Sequence, residues 1–278
     1  MHIHNGEIAK EETWVNRSFK YGDGLFETIR IFQGKILFWK DHMERLFRGM
    51  RILKLEFQAQ LFEVLLLENC RHLMELKHID KHGRLRIQVY RSGKGAYGPV
   101  DRKPSFLVEA FSFEGNTYQS LHPIDLTTYK DYPLGPQPLA GCKTANALPY
   151  VLAAMHAQDE GVDDALMFSQ EGYVSEGSSA NLFLIQDKKL LTPPLSTYCL
   201  DGVMRRHMIH LCQELRIPLL EKKFKIAEVK KADAIFLTNS TRGIIPVRTF
   251  EGRIFNSHGH PMMSFLRTCL NQYVEALE

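Results

Sequence analysis

Between Thr28 and Leu53 the spacing of apolar residues changes from that of a strand to that of a helix, and a chain with that switch must build a core shared by sheet and helix. Thr28-Ile29-Arg30-Ile31-Phe32 and Lys35-Ile36-Leu37-Phe38 flank a Gln33-Gly34 turn, which is the pattern of a β-hairpin. From Trp39 to Leu53, behind Asp41, the residues Met43, Leu46, Phe47, Met50 and Leu53 recur at helical spacing. A second helix is expected over about 58–76, and strands over 84–90 and 105–111, closing a first α+β unit near residue 115. His2-Ile3-His4, before Asn5-Gly6, adds a short strand at the start.

Periodicity lapses after Phe113, so residues 116–123 are expected to link a first domain, 1–115, to a second, 124–278. Pro133, Gly135, Pro136, Pro138 and Gly141 then punctuate an irregular stretch running into Lys143. Beyond it the pattern predicts a helix over 148–158, strands over 165–168, 181–185 and 189–192, and a helix over 203–215. Strands near 219–224 and 234–238, a hairpin around Glu251-Gly252 and a helix over 261–277 complete the second domain. There is no internal repeat, so solenoid architectures are set aside.

Composition removes several classes of function. The net charge of +3 is spread along the chain with Lys and Arg interleaved among Asp and Glu, which argues against nucleic acid or a membrane surface as partner. No apolar run approaches the roughly 20 residues of a membrane span, and Met1-His2-Ile3-His4-Asn5-Gly6 lacks a signal-peptide pattern, so a cytoplasmic protein is expected. Five scattered cysteines fit reduced thiols; Cys142 reads as a small packing residue despite standing beside Lys143. His207 with His210, and His258 with His260, lack a third ligand nearby, so no metal is expected.

Two segments carry candidate chemistry. Ser175-Glu176-Gly177-Ser178-Ser179-Ala180-Asn181 sets a carboxylate among small residues that let a large group approach the backbone. Such a carboxylate could meet a protonated pyridinium nitrogen; from these residues alone it could equally be a solvated turn glutamate. Lys143, in Gly141-Cys142-Lys143-Thr144-Ala145-Asn146, stands before a predicted helix, where a lysine is usually a surface residue. Its functional reading needs an amine held away from water, able to form an imine and to carry a proton at a substrate's Cα. Three elements could hold a phosphate: Arg45 on the first helix, Gly202-Val203-Met204 at a helix start, and Asn239-Ser240-Thr241 after a strand. Each is weak alone.

Taken in order, the segments Asn5-Gly6, Tyr21-Gly22-Asp23-Gly24-Leu25-Phe26-Glu27-Thr28-Ile29-Arg30, His42-x-x-Arg45-Leu46, Lys143 with Asn146, Glu176-x-Ser178-x-Ala180-Asn181, Asp201-Gly202-Val203-Met204-Arg205 and Thr238-Asn239-Ser240 resemble the class IV aminotransferases. That pyridoxal-phosphate family includes branched-chain aminotransferases, D-amino-acid aminotransferases and 4-amino-4-deoxychorismate lyases. The resemblance implies a two-domain α/β (α+β) fold of the D-amino-acid aminotransferase type, with pyridoxal 5'-phosphate in the interdomain cleft. It implies Lys143 as the Schiff-base lysine, Glu176 at the pyridine nitrogen, and Asn181 among the cofactor residues. Arg45, Gly202, the backbone of Val203 and Met204, and Ser240 or Thr241 would hold the phosphate. Tyr21, Phe26, Arg30 and Lys94 would line the substrate pocket of a homodimer.

Departures bear on substrate. Many branched-chain enzymes carry a tyrosine a few residues after the lysine and a threonine where Met204 stands; here the chain reads Thr144-Ala145-Asn146-Ala147-Leu148. The lyases typically show an arginine in the Gly-rich loop, where Lys94 is the cation of Ser92-Gly93-Lys94-Gly95-Ala96-Tyr97. A lysine is not a planar bidentate clamp, which weighs against lyase activity. The reading that follows is transamination between an amino acid, branched-chain or D-, and a 2-oxo acid. The alternative is release of pyruvate and 4-aminobenzoate from aminodeoxychorismate. A non-catalytic scaffold is disfavoured by the joint presence of Lys143, Glu176 and Arg45.

Overall fold

The computed structural model describes residues 2–9, 16–113 and 122–277, so most of the expected linker, 116–121, lies outside the described residues. The chain divides into two compact units. One holds the described residues up to 113 together with Cys142–Asn146; the other holds 122–141 and the residues from Ala147 onward.

In the first unit β1 (His2–His4) and β2 (Glu7–Ala9) form a hairpin over Asn5 and Gly6, followed by the short helix α1 (Arg17–Tyr21). The expected central hairpin is β3 (Gly24–Phe32) with β4 (Lys35–Ile36), and the expected helices are α2 (Trp39–Ile52) and α3 (Ala59–Leu76). Strands β5 (His82–Arg91) and β6 (Pro104–Ser112) complete an antiparallel sheet of order β2-β1-β6-β5-β3-β4. Strand β3 starts at Gly24 rather than Thr28, because its ladder with β5 runs unbroken from Gly24–Tyr90 to Phe32–His82.

Strand alternation gives this sheet two chemically different faces. Leu25, Glu27, Ile29 and Ile31 point toward α2, whose Met43, Leu46, Phe47 and Met50 are buried, each contributing about 1.5–3 kcal/mol by burial. Helix and sheet touch closely there: a Cβ on Gly49 would lie 2.8 Å from Leu25 Cδ1. The opposite face carries Phe26, Thr28 and Arg30 on β3, paired across to Gln88, Arg86 and Arg84 on β5.

The second unit begins with β7 (Ile124–Leu134), for which the sequence pattern predicts no element and whose end enters the stretch expected to be irregular. Its register with the neighbouring strand breaks between Tyr129 and Leu134, and Pro133 falls inside that break, where a missing N–H costs the ladder nothing. Then come α4 (Leu148–Asp159), β8 (Asp164–Ser169), β9 (Val174–Gly177), β10 (Asn181–Gln186), β11 (Lys189–Thr192) and a 3-10 turn at Leu195–Thr197. They are followed by α5 (Val203–Glu214), β12 (Leu219–Glu221), α6 (Ile226–Val229), β13 (Ala234–Asn239), β14 (Gly243–Phe250), β15 (Arg253–Ile254) and α7 (Pro261–Glu275). Strand β9 is not predicted by the sequence pattern, and it places Glu176 on a buried strand, which excludes the alternative of a solvated turn glutamate. The expected strand over 219–224 shortens to Leu219–Glu221.

The sheet runs β12-β11-β10-β13-β14-β7-β8-β9 with β15 on β14, and is mixed: β7 pairs parallel with β8 and β14, and β11 with β12. Residues from strands as far apart in that order as β9 (Val174) and β11 (Leu191) share one apolar cluster with Phe168, Leu182, Leu237 and Phe250, so the sheet curls around its core. A second cluster forms where Ala153 and Ala157 of α4 pack on Tyr129, Ala165 and Met167.

Candidate active site

In the first unit Lys143 is fixed by its own backbone. Its carbonyl accepts from Phe26 N–H at 2.8 Å, Ala145 N–H donates to Gly24 O at 2.9 Å, and Thr144 bridges Leu25, so the lysine segment pairs along the edge of β3. Its amine lies 4.5 Å from the centroid of the Phe26 ring, and the Arg86 guanidinium lies 4.0 Å from the same centroid. Asn146 donates to Gly22 O, and Gly22, at φ +67°, leaves room for that side chain where a Cβ would meet it at 2.0 Å.

Arg45 is buried on α2 and locked to Glu27: Nε donates to Oε1 at 2.8 Å and Nη2 to Oε2 at 2.5 Å. His42, one turn earlier, meets Glu27 Oε2 at 2.7 Å. Burial pushes the Glu27 carboxyl up, but Arg45 and His42 outweigh it and hold it at about 2. Burial lowers His42 more than Glu27 raises it, so the ring favours its neutral form.

Tyr21 and the Lys94 loop come together through Arg17. Its guanidinium donates to the carbonyls of Gly95 and Ala96, both at 2.8 Å, and to Asp23 at 2.8 Å, while its Cζ lies 4.9 Å from the Tyr21 ring centroid. Arg91 also binds Asp23, and Tyr21 contacts Tyr97. Lys94 itself is exposed. Arg30 is buried on the Phe26 side of β3, over the ring of Phe113.

In the second unit Glu176, only 2% exposed, accepts from Tyr150 Oη at 3.0 Å and Leu200 N–H at 2.8 Å on Oε1, and from Asn181 Nδ2 at 3.0 Å on Oε2. Asn181 Nδ2 also donates to Leu200 O, and the absence of a Cβ at Gly202 admits its amide, since one there would sit 1.9 Å from Asn181 Oδ1. Buried Asp164 accepts from Ser178 N–H and Oγ and from Ser179 Oγ, setting the turn beyond Glu176. Gly202 is the N-cap of α5, and no side chain caps that helix, whose Val203 and Met204 are buried. Asn239 Oδ1 accepts from Thr241 N–H, Thr241 Oγ and Arg242 N–H, shaping the turn that holds Ser240, while its Nδ2 donates to Ser179 O.

A family model described as amino-transferase class IV matches residues 24–250. The chain belongs to the class IV aminotransferases. A putative branched-chain-amino-acid aminotransferase of Methanocaldococcus jannaschii is 29% identical over 263 residues, covering 91% of this chain and 88% of that protein. The D-alanine aminotransferase of Staphylococcus haemolyticus is 26% identical, covering 98% and 97%. Among solved structures, the 4-amino-4-deoxychorismate lyase of Pseudomonas aeruginosa superposes with a TM-score of 0.83 at 29% identity, covering 100% of this chain and 99% of that one. Escherichia coli branched-chain aminotransferase gives 0.87 at 22%, covering 98% and 94%, a likeness of fold.

Enzymes of this family work with pyridoxal phosphate, and the residues present fit it. The first unit holds a lysine amine over an aromatic ring; the second holds a buried carboxylate that accepts from Tyr150, Asn181 and Leu200, and a twelve-residue helix starting without a side-chain cap. Thr238 Oγ1, across from Asn181 in the β10–β13 ladder, is buried without a hydrogen-bond partner among the described residues, a hydroxyl ready for a bound group. The sequence reading gave no role to Glu27, Arg17, Asp164 or Tyr150. Glu27 left a signal, a carboxylate in the apolar phase of β3 opposite His42-x-x-Arg45; Tyr150, inside an apolar helical stretch, left none.

Proposed function

We propose that this aminotransferase moves an amino group between an amino acid, branched-chain or D-, and a 2-oxo acid, with residues of both units serving one pyridoxal phosphate. The observation that carries the reading is Glu176, a buried carboxylate whose hydrogen bonds from Tyr150, Asn181 and Leu200 come from uncharged groups. Such donors stabilise the anion without cancelling its charge, which suits a partner for a protonated ring nitrogen. The cofactor, when bound, takes up the electron pair released when a bond to the substrate's Cα breaks.

Lys143 would anchor the cofactor covalently and, once released, take the proton from the substrate's Cα. Its backbone pairing with β3 and its seat on the Phe26 ring support that role by limiting where the amine can go. Arg45, Gly202, the N–H groups of Val203 and Met204, and the hydroxyls of Ser240 and Thr241 would hold the phosphate. Asn181 would orient Glu176. Tyr21, Phe26, Arg30 and Lys94 would select the substrate. We further propose a cytoplasmic homodimer.

A substrate panel tests the reading. Purified protein with pyridoxal phosphate is offered leucine, isoleucine, D-alanine or aminodeoxychorismate, with 2-oxoglutarate as acceptor. Formation of the 2-oxo acid from one of the amino acids, with conversion of the bound cofactor's spectrum to that of its aminated form, is expected. Release of pyruvate and 4-aminobenzoate from aminodeoxychorismate, without amino transfer, would overturn it.

A further inference from the structure

Of Tyr150, Asn181 and Leu200, which donate to Glu176, two are supplied by the strand and loop around it. Asn181 is braced by Leu200 O and the open space at Gly202, and Leu200 N–H is backbone. The third is one hydroxyl, that of Tyr150, delivered by the first turn of α4, the helix that follows the Lys143 segment. The Tyr150 ring packs against the cluster of Tyr129, Ala153 and Met167, which fixes the approach of its hydroxyl. Tyr150 and Leu200 N–H both donate to Oε1 while Asn181 donates to Oε2, so both carboxylate oxygens are held and its orientation is restricted.

We propose that Tyr150 is a positioning residue of this aminotransferase, its phenol holding the Glu176 carboxylate in the orientation from which it meets the cofactor's ring nitrogen. The inference rests on the cofactor reading above. Burial, and secondarily the negative charge of Glu176, push the Tyr150 phenol well above its ordinary value, so it remains a donor through the neutral range. Cys199, a titratable group near both residues, is pushed up to about 12, chiefly by burial, and stays a neutral thiol. Tyr150→Phe removes one oxygen and leaves a ring that suits the apolar cluster, so the variant isolates the hydrogen bond.

The measurement is binding of two ligands to the cofactor-free protein, followed by absorbance: pyridoxal phosphate and its deaza analogue, in which a C–H replaces the ring nitrogen. A structural role for Tyr150 would affect both ligands alike; a role exerted through Glu176 on the nitrogen affects only the first. Tyr150→Phe is expected to weaken pyridoxal phosphate about tenfold, the scale of one hydrogen bond to a charged group, and to leave the deaza analogue within about twofold. Equal loss for both ligands, or no loss for either, would overturn the inference while leaving the cofactor reading intact. If the wild-type protein itself bound both ligands equally, or neither, the placement of Glu176 at the nitrogen would fall, and the inference with it.

Discussion

Glu27 carries a large electrostatic load in the first unit, because it sits in the dry phase of β3 and is met there by two groups of α2. Removing one member of a buried pair leaves the other charged and desolvated, so Glu27→Gln should lower unfolding stability by about 3–5 kcal/mol in urea titration. The wild type should also lose stability on acidification in two windows. The folded state depresses the His42 pKa, so its contribution falls as pH drops below 6.5, and that of Glu27 falls between 4.5 and about 2. A urea midpoint independent of pH from 7 to 3 would contradict both assignments. The ion pair was readable in part from the sequence: His42 and Arg45 are three apart on a helix, and Glu27 interrupts the apolar side of its strand. What could not be read is that Arg45 commits two of its nitrogens to Glu27, because no periodicity says which carboxylate a helical arginine will meet.

At the scale of elements, α2 and β3 hold each other through the close approach at Gly49. Adding a methyl there gains helix propensity but drives a Cβ into Leu25, whose side chain is enclosed by the core. Gly49→Ala should therefore cost about 1–2 kcal/mol net in thermal or chemical unfolding, and an equal or higher stability would show that the interface has slack. The long helices were legible almost to the residue, since α2, α3, α5 and α7 repeat their apolar positions at helical spacing and α4 is an almost uninterrupted apolar run. Strands β7 and β9 were not. Pro133 disguised the first by sitting in its irregular end, and the small polar residues of Ser175-Glu176-Gly177 disguised the second, because a strand buried on both sides shows no alternation. The candidate site lies where the pattern fails, as expected when a residue is kept for chemistry instead of packing.

For the whole molecule, binding of the family's cofactor should stabilise the folded chain. Saturating pyridoxal phosphate, at a hundredfold excess over its dissociation constant, stabilises a native protein by about 2.7 kcal/mol and should raise the melting temperature on the order of 5–10 °C. The same addition to Lys143→Ala should raise it less. In the sequence, Lys143 and Glu176 become candidates only through their ordered company of Arg45, Gly202 and Ser240; neither residue announces itself alone. Their local settings, an amine on an aromatic ring and a carboxylate that accepts from Tyr150, Asn181 and Leu200, come from folding and have no sequence signature.

The most direct measurement is chemical capture of the lysine. The protein is loaded with pyridoxal phosphate, reduced with borohydride, digested and mapped by mass spectrometry. The added phosphopyridoxyl mass is predicted on the peptide containing Lys143, in near-stoichiometric yield and absent from Lys143→Ala. Stoichiometric label on another lysine, or none on a wild-type protein shown to be folded, would contradict the assignment of Lys143 as the anchor.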